Sequence, residues 1–156
     1  MNFMTSFERE LVVHSANNLN QYIFSDNLAD FDYDIITAWL ASTYWSPGIS
    51  REKVIKGAEN STVCVGVFNT DGIQVAFARC ISDTTRFAYI ADVFVDEAYR
   101  HKGIAQVILQ FFYNHPKLNE VSSFYLLTQD AHKVYEKAGF GLYPNPERFM
   151  VKRRTE

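Results

Sequence analysis

The stretch YIADVFVDEAYRHKGIAQVIL, residues 89–109, changes its apolar period half-way along. From Phe87 to Val95 the chain is almost continuously apolar, broken by one charge, Asp92. Such a run reads as a central strand covered on both faces. Beyond Gly103, residues Ile104, Val107, Ile108, Phe111 and Phe112 recur at i, i+3, i+4, i+7 and i+8, one face of a helix over 103–113. His115-Pro116 ends it. Between strand and helix stand Arg100, His101 and Lys102, followed by the small residues Gly103 and Ala105. A helix start presents unpaired N–H groups and the positive end of its dipole. Basic residues there are disfavoured by that dipole unless an anion is bound, and small residues let an anion reach the backbone. A pyrophosphate site and a solvated basic loop are both open on these residues alone. The turn is neither a Gly-Lys-Ser/Thr phosphate loop nor a GxGxxG fingerprint.

Upstream, Thr62–Phe68 and Gln74–Ile81 are rich in β-branched and aromatic residues and flank Asn69-Thr70-Asp71-Gly72. They read as an antiparallel hairpin, and a two-residue loop at Asp71-Gly72 would pair Cys64 with Arg79. Before it, Ile35, Ile36, Trp39 and Leu40 mark a helix starting near Asp32, and Ser50 can cap a second helix bearing Val54, Ile55 and Ala58. Gln21–Phe24 reads as a short strand, Leu11–Val13 as another, and Asn17-Asn18 as a turn. Downstream, Phe124–Leu127 reads as a short buried strand, and Ala131, Val134, Tyr135 and Ala138 as a helix capped by Thr128 or Asp130 and stopped by Gly139. Arg148–Lys152 reads as a last strand. Helices, three strands, then strand-helix-strand-helix make an α+β or mixed α/β sandwich.

The 156 residues fit one domain, 1–156, with 1–20 the least readable part. Hydrophobic residues at 47%, with 13 Phe and 9 Tyr, supply a core without a disulfide or metal staple. A net charge of −3 disfavours a non-specific nucleic-acid or anionic-membrane binder. No apolar run reaches the roughly 18 residues of a membrane span. The first ten residues lack the basic-then-apolar order of a signal peptide, so a cytoplasmic protein with two reduced thiols is expected. The four His show no metal-ligand spacing, so no metal is expected.

The segment 89–109 resembles the acetyl-CoA-binding part of the GNAT N-acetyltransferase superfamily. Its Arg/Gln-x-x-Gly-x-Gly/Ala signature is met by Arg100-x-x-Gly103-x-Ala105. A second segment, DAHKVYEKAGF at 130–140, resembles the family's later helix ending in Tyr-Glu-Lys-x-Gly-Phe. The resemblance covers roughly 21–153 and is strongest over 87–140. It implies a mixed, mostly antiparallel sheet that splays between the 87–95 and 124–127 strands, with acyl-CoA in the gap. It implies further that backbone groups of Val93, Phe94 and Val95 hold the pantetheine arm, with Val93 N–H polarising the thioester carbonyl. Backbone groups across Arg100, His101, Lys102, Gly103, Ile104 and Ala105 would take the pyrophosphate. Tyr135 would protonate the departing thiolate, or else be a core residue of its helix. Thr128 stands where many members carry Asn, which puts that Asn's cofactor contact in question.

The implied activity is acetyl transfer from acetyl-CoA to a primary amine by direct attack in a ternary complex. The acceptor is a small molecule or a protein amine. Asp92, beside the implied thioester site, is read as base, as ammonium anchor, or as a structural partner of Arg79 or Arg86. Asp32, Asp34 and Asp83 are acidic candidates nearer the mouth. Trp39, Tyr44 and Trp45 belong to the region that walls the family's acceptor pocket, with Trp39 also readable as core. A homodimer is common among small enzymes of this kind. The rival functions are a non-catalytic acyl-CoA-binding or sensing module, and a nucleotide-binding protein using the same helix start.

Overall fold

The computed structural model describes residues 21–155. Strands β1 (Ile23–Ser25), β2 (Val63–Phe68), β3 (Gln74–Ser82), β4 (Phe87–Val95) and β5 (Ser123–Tyr125) lie side by side in chain order. Neighbours are antiparallel except β4 and β5, which run parallel. Parallel pairing needs a crossover, and helix α3 (Ile104–Asn114) supplies it. Helices α1 (Tyr33–Ala41) and α2 (Arg51–Glu59) precede β2, and α4 (His132–Lys137) follows β5. This is the α+β sheet with flanking helices expected from the sequence.

The helix starts fall where capping chemistry puts them. Asp32 Oδ1 accepts from the N–H groups of Asp34 and Ile35, and Ser50 Oγ accepts from Lys53 N–H. The sheet is covered on both faces. Val63, Val65, Val67, Ala78, Cys80 and Ile90 pack with Ile104, Val107, Ile108 and Phe111 of α3 on one side. Cys64 and Phe77 pack with Ile36, Leu40, Val54 and Ala58 on the other. Cys80 of β3 pairs with Val63, the neighbour of Cys64 in β2, so the pleat sends the two thiols to opposite faces, and both are free and buried. Gly66 has no side chain because Phe31 leaves no room: a Cβ there would meet the Phe31 ring at 2.8 Å. Among the described residues no helix is long and apolar enough to cross a membrane.

Several expectations need correction. Cys64 does face Arg79, but the hairpin loop is not two residues long. Asn69 N–H donates to Ile73 O, enclosing Thr70-Asp71-Gly72, with Gly72 at φ 77°. A bulge at Val75, between the pairs Val67–Ala76 and Phe68–Gln74, restores the register. The expected 124–127 strand is paired only as Ser123–Tyr125, and Leu127 is 76% exposed. Arg148–Lys152 is not a strand. Pro146–Arg148 is a single 3-10 turn, and Met150 beyond it is 96% exposed. Phe149 instead rests edge-on against Tyr125 and Tyr143, a side-chain contact without a backbone ladder. The strand and turn expected before residue 20 lie outside the described residues.

Strand β4 carries the feature that shapes the site. Phe77 pairs with Phe94, but Arg79 pairs with Ala91, so Asp92 and Val93 together oppose Ala78. Asp92 takes φ 55°, left-handed for a non-glycine residue. This bulge bends β4 at its middle. Pairing with β5 stops at Tyr89–Tyr125, so Ile90 to Val95 have no ladder partner on that side among the described residues. A gap therefore opens between the C-terminal half of β4 and the chain leaving β5.

Candidate active site

The gap is a cleft of about 1640 Å³, above the range of roughly 300–1,000 Å³ usual for small ligands. Its floor is Ile90 to Val95 of β4. One end is the turn before α3, and the other is walled by Tyr44, Trp45, Thr128 and Tyr135.

At the first end, Gly103 is the N-cap of α3 with φ 87° and makes no side-chain cap. The first intrahelical bond of the turn is Val107 N–H to Gly103 O. The N–H groups of Ile104, Ala105 and Gln106 have no acceptor among the described residues. Three orphan donors on the positive end of a helix dipole suit an anion, and the first turn contains no acidic residue to fill that role. Gly103, Ile104 and Ala105 all line the cleft, as do Arg100 and His101, the latter at φ 62°. Lys102 is the exception within Arg100–Ala105. It is absent from the cleft wall, and its Nζ lies 5.4 Å from the centre of the Tyr99 ring. Arg100 folds back: its Nε donates to Val95 O at 2.9 Å, and its guanidinium sits over Phe94.

At the other end, the half-buried Tyr135 faces the cleft from α4. A Schellman ending fixes it. Phe140 N–H donates to Tyr135 O, Gly139 N–H donates to Glu136 O, and Gly139 takes φ 91°. The Phe140 ring closes the motif edge-on against Tyr135, 6.0 Å between centres. The Tyr-Glu-Lys-x-Gly-Phe pattern is thus a device for holding one phenol. Burial pushes the Tyr135 hydroxyl up to about 12, helped by Tyr44, Asp130 and Tyr89 facing it. It stays protonated, able to donate, at any ordinary pH. Thr128 Oγ1 accepts from Ala131 N–H at 3.0 Å, which braces the chain leading into α4.

The loop after α1 crosses the mouth. Tyr44 Oη accepts from Gln129 N–H at 2.9 Å, and Trp45 Nε1–H donates to Asp92 Oδ1 at 3.0 Å. The two rings meet edge-on, 5.0 Å apart. Trp39 has both of its expected characters: it stacks on Phe94 at 5.4 Å within the α1 core and also lines the cleft. Asp92 has both oxygens engaged. Arg79 Nε donates to Oδ2 at 2.6 Å, the second oxygen is taken by Trp45, and the side chains are only 26% and 12% exposed. Of the readings of Asp92, the pairing with Arg79 is the arrangement present; Arg86 takes no part. Asp32, Asp34 and Asp83 do not line the cleft. Asp32 caps α1, Asp34 pairs with Arg51, and Asp83 accepts the N–H groups of its own turn.

Sequence reading missed Tyr89 and Asp130 as cleft residues. Tyr89 lines the cleft from β4, and burial, then Asp92, raises its hydroxyl above the ordinary tyrosine range. Strand alternation from Phe87 was the available signal for Tyr89. Asp130 was read only as a helix cap. Among the described residues no cluster of three or more metal-ligating side chains occurs.

Over residues 59–141, more than half of the chain, the sequence matches the acetyltransferase (GNAT) domain family. This chain belongs to the GNAT family. A GNAT-family protein from Xanthomonas campestris pv. campestris is 34% identical across 85% of this chain and 93% of that one, with a TM-score of 0.79. Glucosamine-6-phosphate N-acetyltransferase from Arabidopsis thaliana is 17% identical across 86% and 99%, TM-score 0.62. An acetyltransferase from Trypanosoma brucei is 17% identical across 86% and 99%, TM-score 0.63. At that identity the last two speak for the GNAT fold alone. No curated protein matches the sequence.

Proposed function

We propose that this GNAT protein transfers an acetyl group from acetyl-CoA to a primary amine, by direct attack within a ternary complex. The observation that carries the reading is one cleft with an uncapped helix start at one end and a protonated, half-buried tyrosine at the other. The cleft residues fit the donor. Ile104, Ala105 and Gln106 offer N–H groups to a pyrophosphate, Arg100 and His101 add side-chain donors, and Val93 to Val95 offer a strand edge to an amide-bearing arm.

When bound, acetyl-CoA would supply a thioester carbon to which the amine nitrogen bonds as the carbon–sulfur bond breaks, the nitrogen giving up one proton to solvent while the sulfur takes one. Tyr135 holds the proton that the leaving sulfur needs, and its raised pKa keeps that proton in place until transfer. The Tyr44–Trp45 loop narrows the mouth and limits water at the reacting centre. Cys64 and Cys80 are buried in β2 and β3, outside the cleft, so neither serves as an acyl carrier.

The test is a thermal-shift titration with acetyl-CoA and CoA, with ATP and NAD as controls, followed by thiol release against an amine panel. Ligand at about 100 times its dissociation constant adds roughly 2.7 kcal/mol of stability. A saturable shift with acetyl-CoA and CoA alone, plus amine-dependent thiol release, is expected. No shift in a folded sample overturns the reading; a shift without release on any amine favours the non-catalytic module.

A further inference from the structure

Helix α4 carries Tyr135, yet its own sequence does little to hold it in place. It has six residues, none of them buried, and no side-chain cap at its start. Tyr135 and Ala138 pack against the α3 core, but apolar contact is non-directional and leaves a short helix free to turn or slide. The ending of the helix also leaves one carbonyl over. Ala138 N–H, four residues beyond Val134, donates to Tyr135 O instead of Val134 O. Gln106 of α3 fills that place: its half-buried Nε2 donates to Val134 O at 2.6 Å. Among the described residues this is the only hydrogen bond between α4 and another helix or strand. Gln106, Val134 and Tyr135 all line the cleft.

We infer that Gln106 is a positioning residue: its carboxamide fixes α4, and with it the Tyr135 hydroxyl, at a set distance from the start of α3. The inference rests on the acetyltransferase reading above, with Tyr135 as its acid. Gln106 stands at both ends of that span. Its backbone N–H is one of the three open donors of the α3 turn, and its side chain bonds the peptide group that joins Val134 to Tyr135. A cofactor held by its pyrophosphate at the turn places its sulfur at a distance set by its own bonds. The acid must be held to match, because a proton passes only across hydrogen-bond reach. A misplacement of about 1 Å can cost a hundredfold in rate. A directional bond at 2.6 Å supplies the constraint that packing alone does not. The role is positional: the carboxamide neither gives nor takes a proton in the reaction.

The experiment uses Gln106→Met, which keeps the length and loses the donor, and Gln106→Lys, which keeps a donor. Gln106→Met is also combined with Tyr135→Phe. Turnover is read by thiol release at saturating acetyl-CoA, with n-hexylamine, benzylamine and glycinamide as probes, and acetyl-CoA affinity by calorimetry. Gln106→Met is expected to lower kcat about tenfold, with acetyl-CoA affinity within about twofold because the backbone N–H remains. Gln106→Lys should recover most of the loss. In the Tyr135→Phe background, Gln106→Met should change kcat by less than about twofold, because the group it positions is gone. A side chain that merely steadied the fold would cost the same rate in both backgrounds. Unchanged kcat in Gln106→Met, a loss that persists in full beside Tyr135→Phe, or a loss confined to acetyl-CoA affinity overturns the inference. So does wild-type turnover in Tyr135→Phe, which removes the acid, or acetyl-CoA binding without thiol release on any probe. All of these leave the acetyl-CoA site standing. Absence of acetyl-CoA binding in the wild type overturns the acetyltransferase reading itself, and the inference with it.

Discussion

At the scale of single residues, Tyr135 is the proposed acid, and Asp92 is the ion-pair partner of Arg79. Tyr135 is a phenol held by the Phe140 ring and a Schellman turn, with a hydroxyl pushed to about 12. Tyr135→Phe keeps the ring and loses the proton. Turnover should fall about a hundredfold, the low end of what general acids contribute, while acetyl-CoA affinity by calorimetry stays within about twofold. Wild-type turnover at saturating substrates would remove Tyr135 from the acid role. Asp92 is held in a strained backbone position by two donors, and its partner Arg79 is three-quarters buried. Asp92→Asn leaves the guanidinium without its counter-charge in a poorly solvated place. We expect a loss of about 2 kcal/mol, discounted from the 3–5 of a fully buried pair because Arg79 retains some solvent. Urea unfolding measures this, and Trp fluorescence should change as the Trp45 contact weakens. Unaltered stability would mean that the ion pair contributes nothing net.

At the scale of elements, the anion-binding role proposed for the start of α3 rests most directly on backbone geometry. Gly103 takes φ 87°, which only glycine adopts at little cost, and it leaves three N–H groups open. Two substitutions separate backbone strain from charge. Gly103→Ala introduces the strain of a left-handed residue, worth about 1 kcal/mol, and should weaken acetyl-CoA binding modestly. Gly103→Glu adds the same strain plus an anion at the positive end of the dipole, and should abolish binding. Equal affinities for the two variants, measured by calorimetry, would show that no anion sits there. Legibility also differed by element. The 3.6-residue period of α3 and the caps Asp32 and Ser50 were readable because each is set by a few neighbours in sequence. The Val75 bulge, the truncation of β5 and the unpaired Phe149–Val151 were not, since ladder partners are decided by distant chain. Asp92 was legible as an anomaly, one charge in an apolar strand, but its partners Arg79 and Trp45 come from β3 and the α1–α2 loop.

At the scale of the whole molecule, two cores on either side of one sheet bury titratable groups that pattern alone left unranked. Burial is the first cause in each case: it pushes the Cys64 thiol up to about 11, and the Cys80 thiol and the Tyr135 hydroxyl up to about 12. The unfolded chain ionises its thiols near pH 9 and its tyrosine near 10. Between those values and 11 to 12 the folded state therefore binds more protons than the unfolded one. Stability must fall as pH rises through that window, and the penalty is absent below pH 9. The melting temperature should decline steadily from pH 9 to pH 11. Cys80→Ala tests the assignment. It should lower the melting temperature at pH 7, because a buried sulfur is lost from the α3 face of the sheet. It should also flatten the alkaline decline, because one of the reluctant groups is gone. Cys64→Ala should flatten it in the same way from the opposite face, where the thiol donates to Ala58 O. Since Cys64 is itself one of the causes that raise the Cys80 thiol, the double variant should flatten the limb further than either single variant, without simple additivity. An alkaline limb as steep in the double variant as in the wild type would assign the decline to other groups and detach it from the sheet.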